Sequence, residues 1–439
     1  MMKASKSATG WLLLVNAVYA LAALVGWPVY LVLLAFKPKY RRRCWERWGF
    51  VPRLPPAAER FWIHAISVGE VEAARTFVPA LAEAFPDADI VLSTTTRTGR
   101  ERAERLFPGR RIFHFPLDLA PCVLLALHRI CPTAIIQVES EWWPNFFLLA
   151  RRRGLPVFVV NLRMTERSHR RYLRIRGLLR AVVSSCAAVA TQAPVYTERL
   201  VGLGADPERV RVTGQMKHDA VAFADVVPGA EDLRHWSGIE PGAPVLVAGS
   251  TAPGEEAILL AAFCAVRERR PAARLVIVPR RPENFDAAAA AILIAGFSVL
   301  RQSTGETMGP TPPVPVILGD TMGDLMKWYA LADVVIVGRS FAPLGGSNPM
   351  EPGSLAKALV WGPHMFNFAV EAREMLSAGA ARQAADLPAL AQALEELLTH
   401  ADRRREMGAA ARSVIRRLQG ATRRNVDLVR ETLAAKEPP

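Results

Sequence analysis

Read as apolar and polar positions, the chain opens with WLLLVNAVYALAALVGWPVYLVLLAF over residues 11–36, a stretch without a single charge. As a helix rising about 1.5 Å per residue, it is long enough to cross a hydrocarbon core of about 30 Å. After Val51 the pattern changes to short β-branched runs alternating with amphipathic stretches, as in parallel sheets covered by helices. FWIHAI, DIVLST, RIFHF, AIIQVE, PVFVVN and AAVAT read as strands of one sheet, and PVLVAG, RLVIVP, VPVIL, DVVIVG and ALVWG as strands of a second. A polar, proline-containing stretch separates the two series. The pattern predicts an α/β chain in four parts: an anchor and basic flank over 1–50, a Rossmann-like unit over 51–222, a linker over 223–243, and a second Rossmann-like unit with the terminal helices over 244–439. Two such halves are expected to face a cleft, with strand C-termini pointing into it.

Charge sharpens the reading of the first segment. The chain carries 55 Lys and Arg against 41 Asp and Glu in 439 residues, a net of +14. Lys3, Lys6, Lys37, Lys39, Arg41, Arg42, Arg43 and Arg47 face only Glu46 in the first fifty residues, so half of that excess flanks the apolar stretch. This placement suits a membrane anchor better than a nucleic-acid surface. Trp11, Trp27 and Tyr30 are candidate interfacial anchors, and the basic run after the stretch holds the bulk of the chain on the cytoplasmic side of the inner membrane. A cleavable signal peptide would have a shorter apolar core and a small-residue cleavage site. The Gly26 and Pro28 pair leaves a second arrangement open, a helix that dips into one leaflet. Cys44, Cys122, Cys131, Cys186 and Cys264 form no C-x-x-C pair and read as reduced, mostly buried thiols of a cytosolic compartment.

In open α/β sheets the chemistry lies just past the strand C-termini. There the first half places Ser67-Val68-Gly69-Glu70 and Glu139-Ser140-Glu141. Glu70 sits where a carboxylate accepts either a substrate proton or the dipole of the helix it opens. Glu139 and Glu141 alternate onto one side, and crowding of like charges raises a carboxylate pKa. In the second half, Gly249-Ser250-Thr251 forms a small-residue turn open to an anion. Arg280 follows a strand within reach of a phosphate. Glu351, after Gly345-Gly346, suits ribose hydroxyls. These features together suggest a nucleotide donor, yet neither G-x-x-x-x-G-K-[ST] nor G-x-G-x-x-G is present. Asp87-Ala88-Asp89 precedes its strand and reads as a surface turn, and the eight histidines show no ligand spacing, so no catalytic metal is expected. Arg167, Arg170, Arg171 and Arg174 share a helix face, either solvated or built for lipid phosphates; Tyr172 alone interleaves them, which speaks against nucleic acid.

SVGE, TTTRTG, VESEWWPN, NLRMTERS, GQMKHD, GSTAPGEE, VPRRPENF, DTMGDL, GGSNPMEP and GPHMFNF occur in this order. By these motifs the chain resembles the 3-deoxy-D-manno-octulosonic acid (Kdo) transferases of lipid A biosynthesis. The resemblance implies a GT-B architecture, CMP-Kdo as donor on the second domain, and the diphosphorylated tetraacyl disaccharide precursor of lipid A as acceptor on the first. It implies Glu70 as general base of an inverting transfer, Glu139 and Lys217 as transition-state stabilisers, and no cofactor. Donor contacts would fall to Pro279, Arg280, Met322, Gly323, Asp324, Asn348, Pro349, Met350 and Glu351, with Ser250 and Thr251 beside them; Glu141, Arg163 and Arg167 would serve the acceptor. The chain departs from the family where Ala252, Arg281 and Ser347 stand in place of histidines, which bears on donor affinity rather than reaction type. The alternatives are a GT-B transferase for another nucleotide sugar and an inactive lipid-binding scaffold.

Overall fold

The computed structural model describes residues 2–36, 44–309 and 316–435. Lys37, Lys39 and Arg41 to Arg43 of the expected basic flank lie outside the described residues.

The chain divides into two compact units, residues 1–220 with 419–439, and residues 221–418. The expected boundary therefore needs two corrections. Residues 223–243 are no free linker but enter the second unit, where Ala230–Trp236 is helical. The terminal helix Ala421–Ala434 leaves that unit and packs on the first, burying Ala421, Val426, Leu428 and Val429 in its core. Its apolar stripe announces a helix that must be covered, but periodicity does not say by which sheet.

The first unit holds β1 (Arg60–His64), β2 (Asp89–Thr94), β3 (Arg111–His114), β4 (Ala134–Val138), β5 (Val157–Leu162), β6 (Ala188–Thr191) and β7 (Val210–Val212). They form a parallel sheet in the order β3-β2-β1-β4-β5-β6-β7. Both faces are covered, which is why each strand reads as a nearly continuous apolar run. Trp62 points into one core while Phe61 and Ile63 on the same strand point into the other.

The second unit holds β8 (Val245–Thr251), β9 (Arg274–Pro279), β10 (Val299–Arg301), β11 (Thr307–Met308), β12 (Val316–Leu318), β13 (Val334–Val337), β14 (Ala358–Trp361) and β15 (Ala381–Gln383). Their order is β11-β10-β12-β9-β8-β13-β14-β15, parallel except for the β10–β11 pair. Strand order reverses between β1 and β4 in the first sheet and between β8 and β13 in the second. In open α/β sheets this topological switch point is where ligands bind.

The apolar N-terminal stretch is one helix, Met2–Phe36, continuous through Gly26 and Pro28. It carries a window, Thr9–Gly26, long and apolar enough to cross a membrane. Its first part is nevertheless seated on the first unit. Leu12 enters the core and Trp11 packs against it. Asn16 Nδ2 donates to Asn145 Oδ1 at 2.9 Å, the backbone N–H of Ala120 donates to Asn16 Oδ1 at 3.3 Å, and Tyr19 Oη donates to Asp118 at 3.3 Å. Asp118 also accepts from the N–H groups of Asn145 and Phe146, capping the helix Pro144–Arg152. Burial pushes the Asp118 carboxyl up to about 7, the backbone donors and Tyr19 holding it back from a larger rise. The opposite face, with Leu13, Leu14, Val18, Leu21, Leu24 and Val25, is exposed.

The five cysteines are all free, but only Cys122 and Cys186 are buried; Cys131 and Cys264 are exposed and Cys44 is intermediate, a correction to the mostly buried set expected.

Candidate active site

In the first unit the sheet's switch point collects the acidic residues. Glu70 lies in the helix Val68–Ala73 that follows β1, and Glu139 is the residue directly after β4, the neighbouring strand. One Glu70 oxygen accepts from the backbone N–H groups of Ser67, at 3.1 Å, and Ile66. Thus Glu70 does cap its helix, as the plainer of its two readings held, and it does so with Oε2 alone. Burial is the largest influence on its pKa, raising it to about 7; Glu139 and, more weakly, Glu141 push the same way against the two N–H donors. A carboxylate balanced near neutrality is suited to taking a proton from a hydroxyl.

Glu139 occupies the left-handed region at φ 62°, and so does Asn161 near the end of β5 at φ 57°. A non-glycine residue held there is strained, and such strain persists where surrounding contacts fix it. Here those contacts are visible. Asn161 is fully buried, points its Nδ2 at Glu139 Oε1 at 3.5 Å, accepts from the Met216 N–H at 3.0 Å, and receives Gln192 Nε2 on its carbonyl at 2.9 Å. The Met216 turn carries Lys217, whose Nζ stands 3.8 Å from Glu139 Oε1. Glu70, Glu139 and Lys217 are thereby brought together on one unit, with Asn161 as the brace between the last two. Sequence reasoning passed over Asn161. Its signal was a single polar residue in the otherwise apolar run VFVVNL; the pleat irregularity between Val159 and Leu162 leaves no mark in the sequence.

Of the expected acceptor residues, Glu141 follows this group, its pKa raised by burial and partly restored by Arg171. Arg167 lines an open groove of about 630 Å³ with Glu166, Ser168, Arg170, Arg171 and Arg174. The arginines do share a face, although the helix Glu166–Leu173 ends before Arg174. Arg163 is exposed and does not line this groove. Asp89 of the D-x-D lies at the start of β2, paired with Arg60 at 2.7 Å.

In the second unit, Ser250 and Thr251 end β8, Pro279 ends β9 with Arg280 next, and the Gly345-Gly346 loop follows β13. The three segments are tied to each other. The Arg280 N–H donates to the Thr251 carbonyl at 3.1 Å and the Gly338 N–H to Gly249 at 2.9 Å. A Cβ on Gly338 would stand 2.6 Å from the Ser250 carbonyl oxygen, so only glycine allows this approach. Ser250 is left-handed at φ 57°, and the Thr251 hydroxyl is buried without a partner among the described residues. Asn348 Nδ2 donates to Glu351 at 3.1 Å, and burial raises the Glu351 pKa, with Asn348 and then Arg280 opposing.

Two expected donor residues turn out differently. Met350 is 2% exposed and packs in the core, so its side chain supports the loop rather than offering a contact. Asp324 is a structural node that accepts from Gln302 and Thr321 and pairs with Lys327 at 2.7 Å, which holds its pKa down; next to it Met322 and Gly323 are exposed.

Residues 42–220 match the family model for 3-deoxy-D-manno-octulosonic-acid transferase (kdotransferase). The chain is 34% identical over 410 residues to the 3-deoxy-D-manno-octulosonic acid transferase of Haemophilus influenzae, covering 92% of this chain and 95% of that one. To the Bordetella pertussis enzyme of the same name it is 36% identical over 388 residues, 86% of this chain and 88% of the relative. The chain belongs to the Kdo transferase family.

Among solved structures, a glycosyltransferase from Rickettsia africae matches with a TM-score of 0.57 at 12% identity, over 85% of this chain and 98% of that one. Acinetobacter baumannii MurG matches at 0.50 and 16%, over 86% and 100%. At such identities the likeness speaks for the fold alone, which is GT-B. The protein is accordingly a glycosyltransferase that transfers Kdo in lipopolysaccharide biosynthesis.

For a Kdo transferase the three departures from histidine acquire a structural context. Ser347 is buried and its hydroxyl donates to the Ser250 carbonyl at 3.1 Å, so it binds the glycine-rich loop to the turn after β8. Ala252 is buried as well, its N–H held by Glu255 at 2.9 Å. Arg281 is exposed beside Glu283, at 3.4 Å. Glu255 was not singled out by the sequence. Its carboxylate accepts from the N–H groups of Ala252, Arg339 and Phe341, clamping the loop after β8 to the loop after β13.

Proposed function

We propose that the protein transfers Kdo from CMP-Kdo to the diphosphorylated tetraacyl disaccharide precursor of lipid A, with inversion at the anomeric carbon. The observation that carries this reading is Glu70. It is a carboxylate poised near neutral pH at a sheet's switch point, beside Glu139 and Lys217, in a chain whose close relatives are Kdo transferases. In the proposed step Glu70 takes the proton of the acceptor hydroxyl as that oxygen bonds to the Kdo anomeric carbon. The bond from this carbon to the phosphate oxygen breaks, and CMP leaves with the electron pair. Glu70 is reset by losing its proton to solvent. Lys217 offsets the charge developing in the transition state and Glu139 holds Lys217 in place. Ser250, Thr251 and Arg280 receive the donor phosphate, Asn348 and Glu351 fix the loop that meets the ribose, and the arginine groove around Arg167 receives acceptor phosphates.

The test is mass spectrometry of the purified acceptor lipid after incubation with detergent-solubilised protein and CMP-Kdo. A Kdo increment on the lipid with release of CMP is the expected result, and increments per lipid count the sugars added. An unmodified lipid, with transfer from a UDP-sugar instead, would overturn the donor assignment.

The N-terminal helix supports work at a membrane surface, on the cytoplasmic face of the inner membrane. It is held to the first unit at Tyr19, and from there to its end at Phe36 it rises about 25 Å against a hydrocarbon core of about 30 Å. The exposed row from Leu13 to Val25 is then the face offered to lipid, and the helix lies in one leaflet. An N-terminal epitope tag should accordingly stay protected from protease added to intact spheroplasts and become cleavable on lysis. Cleavage in intact spheroplasts would instead restore a spanning anchor.

A further inference from the structure

We propose that Arg339 is a donor-binding residue that takes the sugar carboxylate of the donor. The proposal rests on the donor site assigned above and adds to it a residue that no motif supplied.

Its position comes first. Arg339 is the second residue past β13, and the sheet reverses its strand order between β8 and β13. It therefore stands across the switch point from Ser250 and Thr251, with Arg280 and Arg281 following the next strand, β9. Hydrogen bonds from Gly338 to Gly249 and from Arg280 to Thr251 draw these three strand ends together.

Its conformation comes second. Arg339 is left-handed at φ 62°, a place where glycine is free of the strain any side chain brings. It is kept there by its N–H, which donates to Glu255 at 2.6 Å, and by its carbonyl, which accepts from Gly346 at 2.8 Å. The backbone is thus built into both loops of the site, and a large cationic side chain is carried where glycine would be the easier residue.

The guanidinium itself is only partly used. Nη2 donates to the Leu344 carbonyl at 3.2 Å, while Nε is buried and has no partner among the described residues. Among the described residues no carboxylate forms an ion pair with it, since both oxygens of Glu255 are committed to backbone N–H groups. Burial, and the nearness of Arg280 and Arg281, lower its pKa, so three cations converge where one carboxylate has already been spent on the backbone. A ligand with two anionic groups would relieve that repulsion. CMP-Kdo has two, a phosphodiester and a carboxylate. The phosphodiester suits the turn of Ser250 and Thr251 with the exposed Arg280. The planar carboxylate suits the half-buried guanidinium, whose orientation Leu344 already fixes.

The experiment uses the full-length enzyme and compares KM for CMP-Kdo with the inhibition constant of the product CMP, which has no carboxylate. Arg339→Gly is the decisive variant, because it relieves the backbone strain and should melt no lower than the parent. The expected result is a KM for CMP-Kdo raised about 10- to 100-fold, with CMP inhibition changed less than about twofold. An unchanged KM in Arg339→Gly overturns the proposal. So does a rise of the CMP constant in step with KM, which would place Arg339 on the nucleotide. Arg280→Ala controls for the site: CMP inhibition unchanged there overturns the donor-site assignment itself, whereas weakened CMP inhibition there with a normal Arg339→Gly overturns this proposal alone.

Discussion

Replacing Glu70 by Gln should lower kcat by roughly 10²- to 10⁴-fold, the usual contribution of a positioned general base, while leaving CMP inhibition unchanged. Glutamine keeps the shape and still offers a carbonyl oxygen to the Ser67 and Ile66 N–H groups, so the helix cap survives and only the proton acceptor is lost. A variant with normal turnover would remove Glu70 from the mechanism. The same residue sets the pH dependence. The base acts when ionised, so kcat/KM should climb with pH along a limb centred at about 7, and that midpoint belongs to the coupled group of carboxylates rather than to Glu70 alone. Glu141→Gln removes one of the charges that raise it and should move the limb to lower pH. For stability the sign is opposite to that of an ion-paired carboxylate. A pKa raised from 4.5 to about 7 means that the folded chain holds this proton more tightly than the unfolded one. The associated stability is present in full below about 4.5 and lost as pH rises through 7. Melting curves at pH 5 and pH 8 should therefore differ less for Glu70→Gln than for the parent.

Which parts of this arrangement were legible in the sequence follows from what each part depends on. The central strands were, because a parallel strand buried on both faces must be an apolar run, and DIVLST and RLVIVP coincide with β2 and β9. β7, β10, β11 and β15 were not, since strands of two or three residues near sheet edges have no room for a pattern. Glu70, Glu139 and Arg280 could be picked out because each follows a strand. What could not be read was strand order, and the switch points that put Glu70 beside Glu139 and Arg339 across from Ser250 exist only once the sheets are assembled. Asn161 and Arg339 share a further reason for going unseen. Each acts through a left-handed backbone that its neighbours enforce; asparagine is enriched in that region but does not by itself mark it inside a strand, and arginine gives no sign of it at all.

The return of the terminal helix to the first unit has a consequence at Lys217, whose replacement by Ala should lower kcat by about 10²- to 10³-fold with little change in melting temperature, as expected for a group that meets charge only in the transition state. Lys217 is half-exposed and contributes nothing to the core, so a large loss of stability would contradict this role. The turn that carries it is fastened from two sides. Asn161 holds the Met216 N–H from within the sheet. From the other side Asp219 accepts the N–H groups of Gly420 at 2.6 Å and Thr422 at 2.5 Å, donors at the start of the helix Ala421–Ala434 that the helix itself cannot satisfy. The aspartate of G-x-x-K-x-D is thus explained by capping: it binds the far end of the chain to the lysine turn. Asp219→Ala should therefore behave unlike Lys217→Ala. It gives up a helix cap at a cost of about 1–2 kcal/mol and frees the turn, so melting temperature and kcat fall together. If Asp219→Ala lost activity while keeping full stability, the aspartate would be acting on substrate rather than on the fold. If Lys217→Ala melted early, the lysine would be the structural member of the pair.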